Sequence, residues 1–136
     1  MYNYGDLCTS ITGGWSTVTS SYGSVTYDTN HIQVTGAQGS RATRTTNMIT
    51  RGNYTKLCLL CTNTAAQSST SAFGITTYTS GLNDRAKFQA WLNPTEAKYT
   101  EQTLLTLNID TFNSEYYVAC NVYLRTVYIY QIYLDP

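Results

Sequence analysis

Charge is scarce in this sequence: eight Lys and Arg stand against eight Asp and Glu in 136 residues, the formal net charge is zero, and no basic run occurs. The electrostatic footprint that holds a phosphate backbone is missing, which argues against nucleic acid as a partner. Histidine is scarcer still. His31 is the single one, it sits beside Ile32 and Val34, and no G-x-S-x-G motif accompanies it, so a triad or proton shuttle lacks its parts. Prolines number two, and no apolar run approaches the roughly twenty residues of a membrane span. Met1 leads into Tyr2-Asn3-Tyr4-Gly5 rather than a charged and then an apolar segment, so we expect a module cut from a longer chain rather than an exported precursor.

The carboxylates are dispersed as Asp6, Asp28, Asp84, Glu96, Glu101, Asp110, Glu115 and Asp135. A glycosidase needs two of them placed across one bond, and none lies in an acidic motif. A calcium ion on a loop, with Asp6 or Asp28 contributing, finds no Asp-rich loop to hold it. Four cysteines are present: Cys8, Cys58, Cys61 and Cys120. Cys58-Leu-Leu-Cys61 has the spacing of a metal or redox pair, yet it lies inside a strand pattern, where residues three apart face opposite sides. Buried small hydrophobes are the expectation for this pair. A Cys8–Cys120 bridge is left open. We expect no enzymatic activity, no cofactor and no structural metal.

What the chain has in quantity is Thr and Ser, 35 together, and 13 Tyr. Thr and Tyr suit half-buried strands, and Ser, Asn and Gly suit the turns between them. Period-2 alternation is strongest at the end, where Tyr116, Val118, Cys120 and Val122 alternate with Tyr117, Ala119, Asn121 and Tyr123. After a short break Tyr128, Tyr130, Ile132 and Leu134 alternate with Val127, Ile129, Gln131 and Tyr133. Earlier strands are expected from Trp15, at Val25–Tyr27, at Ile32–Val34 and at Arg41–Thr46, the last polar on both faces and so placed at an edge or on an open face. Tyr54–Thr62 is nearly continuous and reads as central and covered on both sides. Asn63–Ser71 reads as a loop with nothing to bury. Ala72–Tyr78, Lys87–Leu92 and Leu104–Ile109 complete the set, the second with Phe88, Ala90 and Leu92 on one face and Gln89 and Trp91 on the other, and with Thr95–Thr100 a hinge. Nine or ten short strands without a helix-period segment predict an all-β fold: one antiparallel two-sheet sandwich, jelly-roll-like, spanning residues 1–136 as a single domain.

Aromatic residues carry the functional reading. Tyr54, Tyr78, Trp91 and Tyr99 lie at strand ends, in turns, or on the polar side of their alternation, where an amphipathic ring can stack on the apolar face of a sugar. Arg51, Asn83 and Arg85 are candidate hydrogen-bonding neighbours. The competing expectation for each ring is that it covers a core edge.

Asn3-Tyr-Gly-Asp-Leu-Cys-Thr-Ser-Ile-Thr-Gly-Gly-Trp15, with Glu115-Tyr-Tyr-Val-Ala and Val127-Tyr-Ile-Tyr-Gln-Ile-Tyr-Leu134, resembles the β-sandwich module appended to tail, baseplate and fibre proteins of phages and prophages of Firmicutes. The resemblance implies a jelly-roll-like, non-catalytic module in the virion, extracellular, that helps attach it to cell-surface glycan. It also implies a symmetric homo-oligomer such as a trimer. The tight connection Leu124-Arg-Thr126, in the hairpin expected of the two closing strands, lacks the Gly or Ser expected there. Trp91 and Tyr78 are the expected stacking residues, Arg85 the hydroxyl contact and Tyr54 a further candidate. The alternatives are a structural cap or spacer of an appendage, with every ring committed to packing, and a protein-binding adhesin. The N-terminal arm around Tyr2 to Cys8 is expected beside the C-terminal strand.

Overall fold

Threonine, valine, isoleucine and tyrosine crowd one another at χ1 in a helix but stand freely off a pleated strand, and the described strands are rich in them. A computed structural model describes residues 14–18, 23–27, 32–37, 39–50, 54–67, 70–109 and 115–136. The arm at Tyr2–Cys8 lies outside these residues, as do Asp6, Asp28, His31, Arg51 and Asp110. Eleven strands are described: β1 Trp15–Val18, β2 Ser24–Tyr27, β3 Ile32–Thr35, β4 Ser40–Thr45, β5 Ile49–Thr50, β6 Lys56–Asn63, β7 Ala72–Thr76, β8 Ala90–Leu92, β9 Thr103–Asn108, β10 Glu115–Tyr123 and β11 Thr126–Asp135. They form two antiparallel sheets packed as a sandwich. One runs β1-β4-β10-β7-β8 with β5 paired to β10, and the other runs β2-β3-β11-β6-β9. The all-β, jelly-roll-like sandwich read from the sequence is the fold observed.

The core lies between the sheets. From the six-stranded sheet Phe73, Ile75, Tyr116, Val118, Cys120 and Val122 point inward, and from the five-stranded sheet Ile32, Val34, Leu57, Leu59, Cys61, Val127, Ile129, Ile132 and Leu134 meet them. Each such aliphatic side chain contributes about 1.5–3 kcal/mol through burial. Strict alternation along β11 would put Ile129 and Ile132 on opposite faces. A bulge between Ile129 and Gln131 shifts the register against β6 so that both face the core, correcting the unbroken alternation expected for this strand.

Three further expectations change. The two closing strands do not form a hairpin: β10 is the centre of one sheet and β11 the centre of the other. Leu124 takes a positive φ of 58° in the connection between them, filling the position where glycine was expected. Its N–H donates to Gly39 C=O at 3.2 Å, and Gly36 N–H donates to Arg125 C=O at 2.9 Å, so this crossing lies alongside the β3–β4 crossing at one corner. A Cβ on Gly36 would stand 2.2 Å from the Val122 carbonyl oxygen, which is why a glycine is needed there. Strand β4 is internal, not an edge, because β1 pairs along its far side. Its polar residues are accommodated by burying Thr43 and Thr45 inward while Arg44 faces out. Strand β6 is internal as expected, but Leu60 and Thr62 on its outer side are only half-buried, so it is not covered on both faces.

Cys58 and Cys61 project to opposite faces, Cys61 into the core and Cys58 outward against Thr106 at 4.0 Å. Cys120 is a free, wholly buried thiol among core residues; Cys8, the partner left open for it, lies outside the described residues. The stretch Asn63–Ser71 does bury something. Asn63 sends its Nδ2 to Pro94 C=O (3.1 Å) and Ala97 C=O (2.7 Å), and Gln67 C=O accepts from Asn93 and from Thr95, pinning this segment to Asn93–Ala97.

Candidate functional site

The outer face of the six-stranded sheet is lined by unusually small residues. Ala42, Ala72, Gly74 and Ala119 lie between the inward-facing positions of β4, β7 and β10, and they leave room for another segment to lie on top. That segment is the β7–β8 connection, Thr77–Gln89. Leu82 and Phe88 from it are buried in one cluster with Val18, Ala42, Ala72 and Ala119, separate from the main core. The sequence reading extended a strand from Lys87 to Leu92 with Phe88 beside Ala90 and Leu92. Instead a single 3-10 turn occupies Arg85–Lys87, the strand starts at Ala90, and Phe88 turns to the outer-face cluster.

Local bonds fix the connection. Asp84 N–H closes a turn on Gly81 C=O (3.1 Å), and Asp84 Oδ1 caps Ala86 N–H at 2.9 Å. Thr76 ties both ends together: its Oγ1 accepts from Tyr78 N–H (3.0 Å) and donates to Lys87 C=O (2.6 Å). Arg85 reaches back across the sheet end, donating from Nε (3.0 Å) and Nη2 (2.7 Å) to Ser71 C=O. In that pose its guanidinium lies 4.1 Å from the centroid of the Trp91 ring. Trp91 stands on β8 opposite Gly74, where a Cβ would come within 1.9 Å of the Ala90 carbonyl oxygen, so the glycine permits the close approach of the strand that carries Trp91. Burial pulls the Arg85 pKa below its ordinary value and Glu96 pulls it back up; it remains a cation.

The expected residues are therefore partly assembled. Trp91 is 40% exposed and Tyr78 49% exposed. Arg85 covers one face of Trp91, and Lys87 Nζ lies 4.9 Å over Tyr78, all on the one connection and its strand. Asn83 is exposed at the tip of the same connection. Tyr54 is corrected: at 8% exposure it belongs to the main core, and its ring is spent on packing. Tyr99 is half-buried against the core, and burial, with Cys61 and Glu96 nearby, raises its hydroxyl pKa against a bond with Ala97 that lowers it. Sequence reasoning missed a third pair on this outer face, Arg44 with its guanidinium 4.6 Å from the Tyr117 centroid, Nη1 held by Thr45 and Thr46 carbonyls. The signal was available in Tyr117 alternating away from the core and in the small residues beside it.

No family model and no curated protein sequence matches this chain. Solved structures share its fold. A family 29 carbohydrate-binding module complexed with cellulohexaose superimposes with a TM-score of 0.58 at 9% identity, over 89% of this chain and 80% of the module. The carbohydrate recognition domain of Emp46p, in metal-free form, superimposes with a TM-score of 0.57 at 8% identity, over 95% of this chain and 90% of that one. At these identities the likeness is one of fold.

Proposed function

We propose that this domain is a non-catalytic recognition module that binds a saccharide of a bacterial cell surface as part of a phage tail or fibre-type protein, outside the cell. One observation carries the reading: Trp91 and Tyr78 present exposed rings on one short connection, each beside a cation that can also donate to hydroxyls. An apolar ring face beside fixed N–H donors is the surface a pyranose asks for, stacking on its C–H face and bonding at its rim. The sandwich shared with two carbohydrate-binding domains supports the saccharide part. The virion setting rests on the resemblance of the chain's opening and closing stretches to tail-appendage modules. The rival is a structural cap or spacer, favoured by the one face of Trp91 that Arg85 already fills.

The test is binding to a glycan array and to host cell walls by the wild type and by Trp91→Ala. A shallow site of this kind binds in the millimolar to micromolar range, about 4–8 kcal/mol, so the assay must read weak affinity. The wild type is expected to bind and Trp91→Ala to lose about tenfold or more, with an unchanged circular dichroism spectrum. Absence of wild-type binding to any host saccharide supports the spacer. Binding that Trp91→Ala leaves intact keeps the module and removes this site.

A further inference from the structure

Among the described residues the five-stranded sheet ends at β9, and no described strand pairs along its far side. Its sequence, Thr103-Leu-Leu-Thr-Leu-Asn108, has no charge, no proline and no bulge against β6. The other described edge strands are shorter, with four residues in β1, four in β2 and three in β8. Natural edges are ordinarily blunted by charge, proline or a bulge, because a row of open N–H and C=O groups templates another strand.

Which groups are open follows from the ladder. Ile109 N–H donates to Thr55 C=O at 2.8 Å, in register with the β6–β9 pairing, and Asn63 N–H reaches Tyr99 on the same side. On the other side of β6, Thr64 N–H donates to Thr126 at the start of β11. Odd-numbered β6 residues thus face β9 and even-numbered ones face β11. In an antiparallel ladder alternate residues exchange both bonds, so Thr103, Leu105 and Leu107 bond to β6, and the main chains of Leu104 and Thr106 point to the open edge. Side chains divide the same way. Leu105 and Leu107 pack toward the core, while Leu104, 50% exposed, sits on the outer face opposite half-buried Leu60.

We propose that two copies of this chain pair β9 to β9, antiparallel about a two-fold axis at Leu105, joining their five-stranded sheets into one. Directly opposed residues of an antiparallel pair share a face, so only registers that oppose even positions to even positions keep both cores on the same side. Centring on Leu105 satisfies this and uses only the open groups: Leu104 faces the second copy's Thr106, and Thr106 the second copy's Leu104, giving four main-chain hydrogen bonds. Leu105 meets its own counterpart, and Thr103 meets Leu107, covering leucines that are half-exposed in one copy. The strand is self-complementary because it carries no charge to repel itself or to select a different chain, and a two-fold contact of this kind closes at two copies. One strand with flanking leucines lies at the small end of stable interfaces, so the dissociation constant is expected at about 10–100 µM.

Sedimentation velocity of the whole chain over a concentration series tests it. The wild type is expected to pass from monomer to dimer. Leu104→Lys, which places like charges on the outer face of the seam, is expected to raise the dissociation constant by at least about tenfold. Thr106→Pro deletes an N–H that points away from β6, so the fold's own ladder is spared; it is expected to do the same. Misfolding would mimic either loss, so Leu105→Cys supplies a gain: on oxidation it is expected to give a covalent dimer whose peptide map joins residue 105 to residue 105. A wild type that stays monomeric to about 1 mM, that forms trimers, or that captures only a strand of another protein overturns the proposal. So does a dimer that both variants leave intact or a cross-link that fails to form.

Discussion

Arg85 shows how much one side chain can fix. Its fork closes on a single carbonyl, Ser71 C=O, while its flat face lies on Trp91, so the ring is oriented from above and its remaining face and edge are what the proposed saccharide would meet. The two core thiols act differently, through what they withhold. Burial pushes Cys61 up to about 12 and pushes Cys120 up as well, Cys120 also feeling Cys61 across the core. An unfolded thiol ionises near pH 8.5, so above that the unfolded chain releases protons that the folded chain keeps. The stability these thiols contribute is full below about pH 8.5 and is lost as pH rises through the folded values, at about 1.4 kcal/mol per pH unit per thiol. Urea titrations at pH 7.5 and pH 10 are expected to show the protein less stable at the higher pH, with Cys61→Ala and Cys120→Ala each flattening the dependence. An unchanged midpoint between the two would contradict the burial argument.

At the scale of the element, the β7–β8 connection is held by apolar anchors as much as by its hydrogen bonds. Leu82 is wholly buried, and Leu82→Ala is expected to cost about 2–5 kcal/mol and to loosen amide protection across Thr77–Gln89 ahead of the sheets, and, on the proposed function, to weaken saccharide binding in step. Hydrogen exchange on the variant reads both effects; unchanged protection would mean that the turn bonds alone suffice. This element was only half legible in the sequence. Period-2 reasoning located Trp91 on the side away from the core, because Ala90 and Leu92 flank it, and it found Arg85 and Tyr78 in turn-rich surroundings. It misread Phe88, since a connection that doubles back over its own sheet buries residues by a contact that no alternation encodes. Tyr54 failed for a related reason: a tyrosine at a strand start looks like a rim residue until the facing sheet closes over it. The β11 bulge was hidden because an alternating run of Tyr, Ile and Val reads the same with or without one extra residue.

For the molecule as a whole, the fold class was legible because strand residues and turn residues alternate along the full sequence, whereas strand order was not, since pairing partners are distant. Of all the adjacent strand pairs described, only β2–β3 and β7–β8 are consecutive in the chain. The two strands at the centres of the sheets, β10 and β11, are the last described strands to be synthesised. A ribosome therefore releases β1 to β9 with the middle of both sheets missing, and the hydrophobic faces of β3, β4, β6 and β7 have no shared neighbour until residues 115–135 emerge. Closing such long loops before any contact rewards them places refolding in the millisecond-to-second range typical of sandwiches. Stopped-flow refolding followed by Trp15 and Trp91 fluorescence is expected to show this slow phase, and microsecond folding would refute it. A nascent chain stalled after β9 should be protease-sensitive throughout, because the domain becomes a domain only when its final two strands thread between those already made.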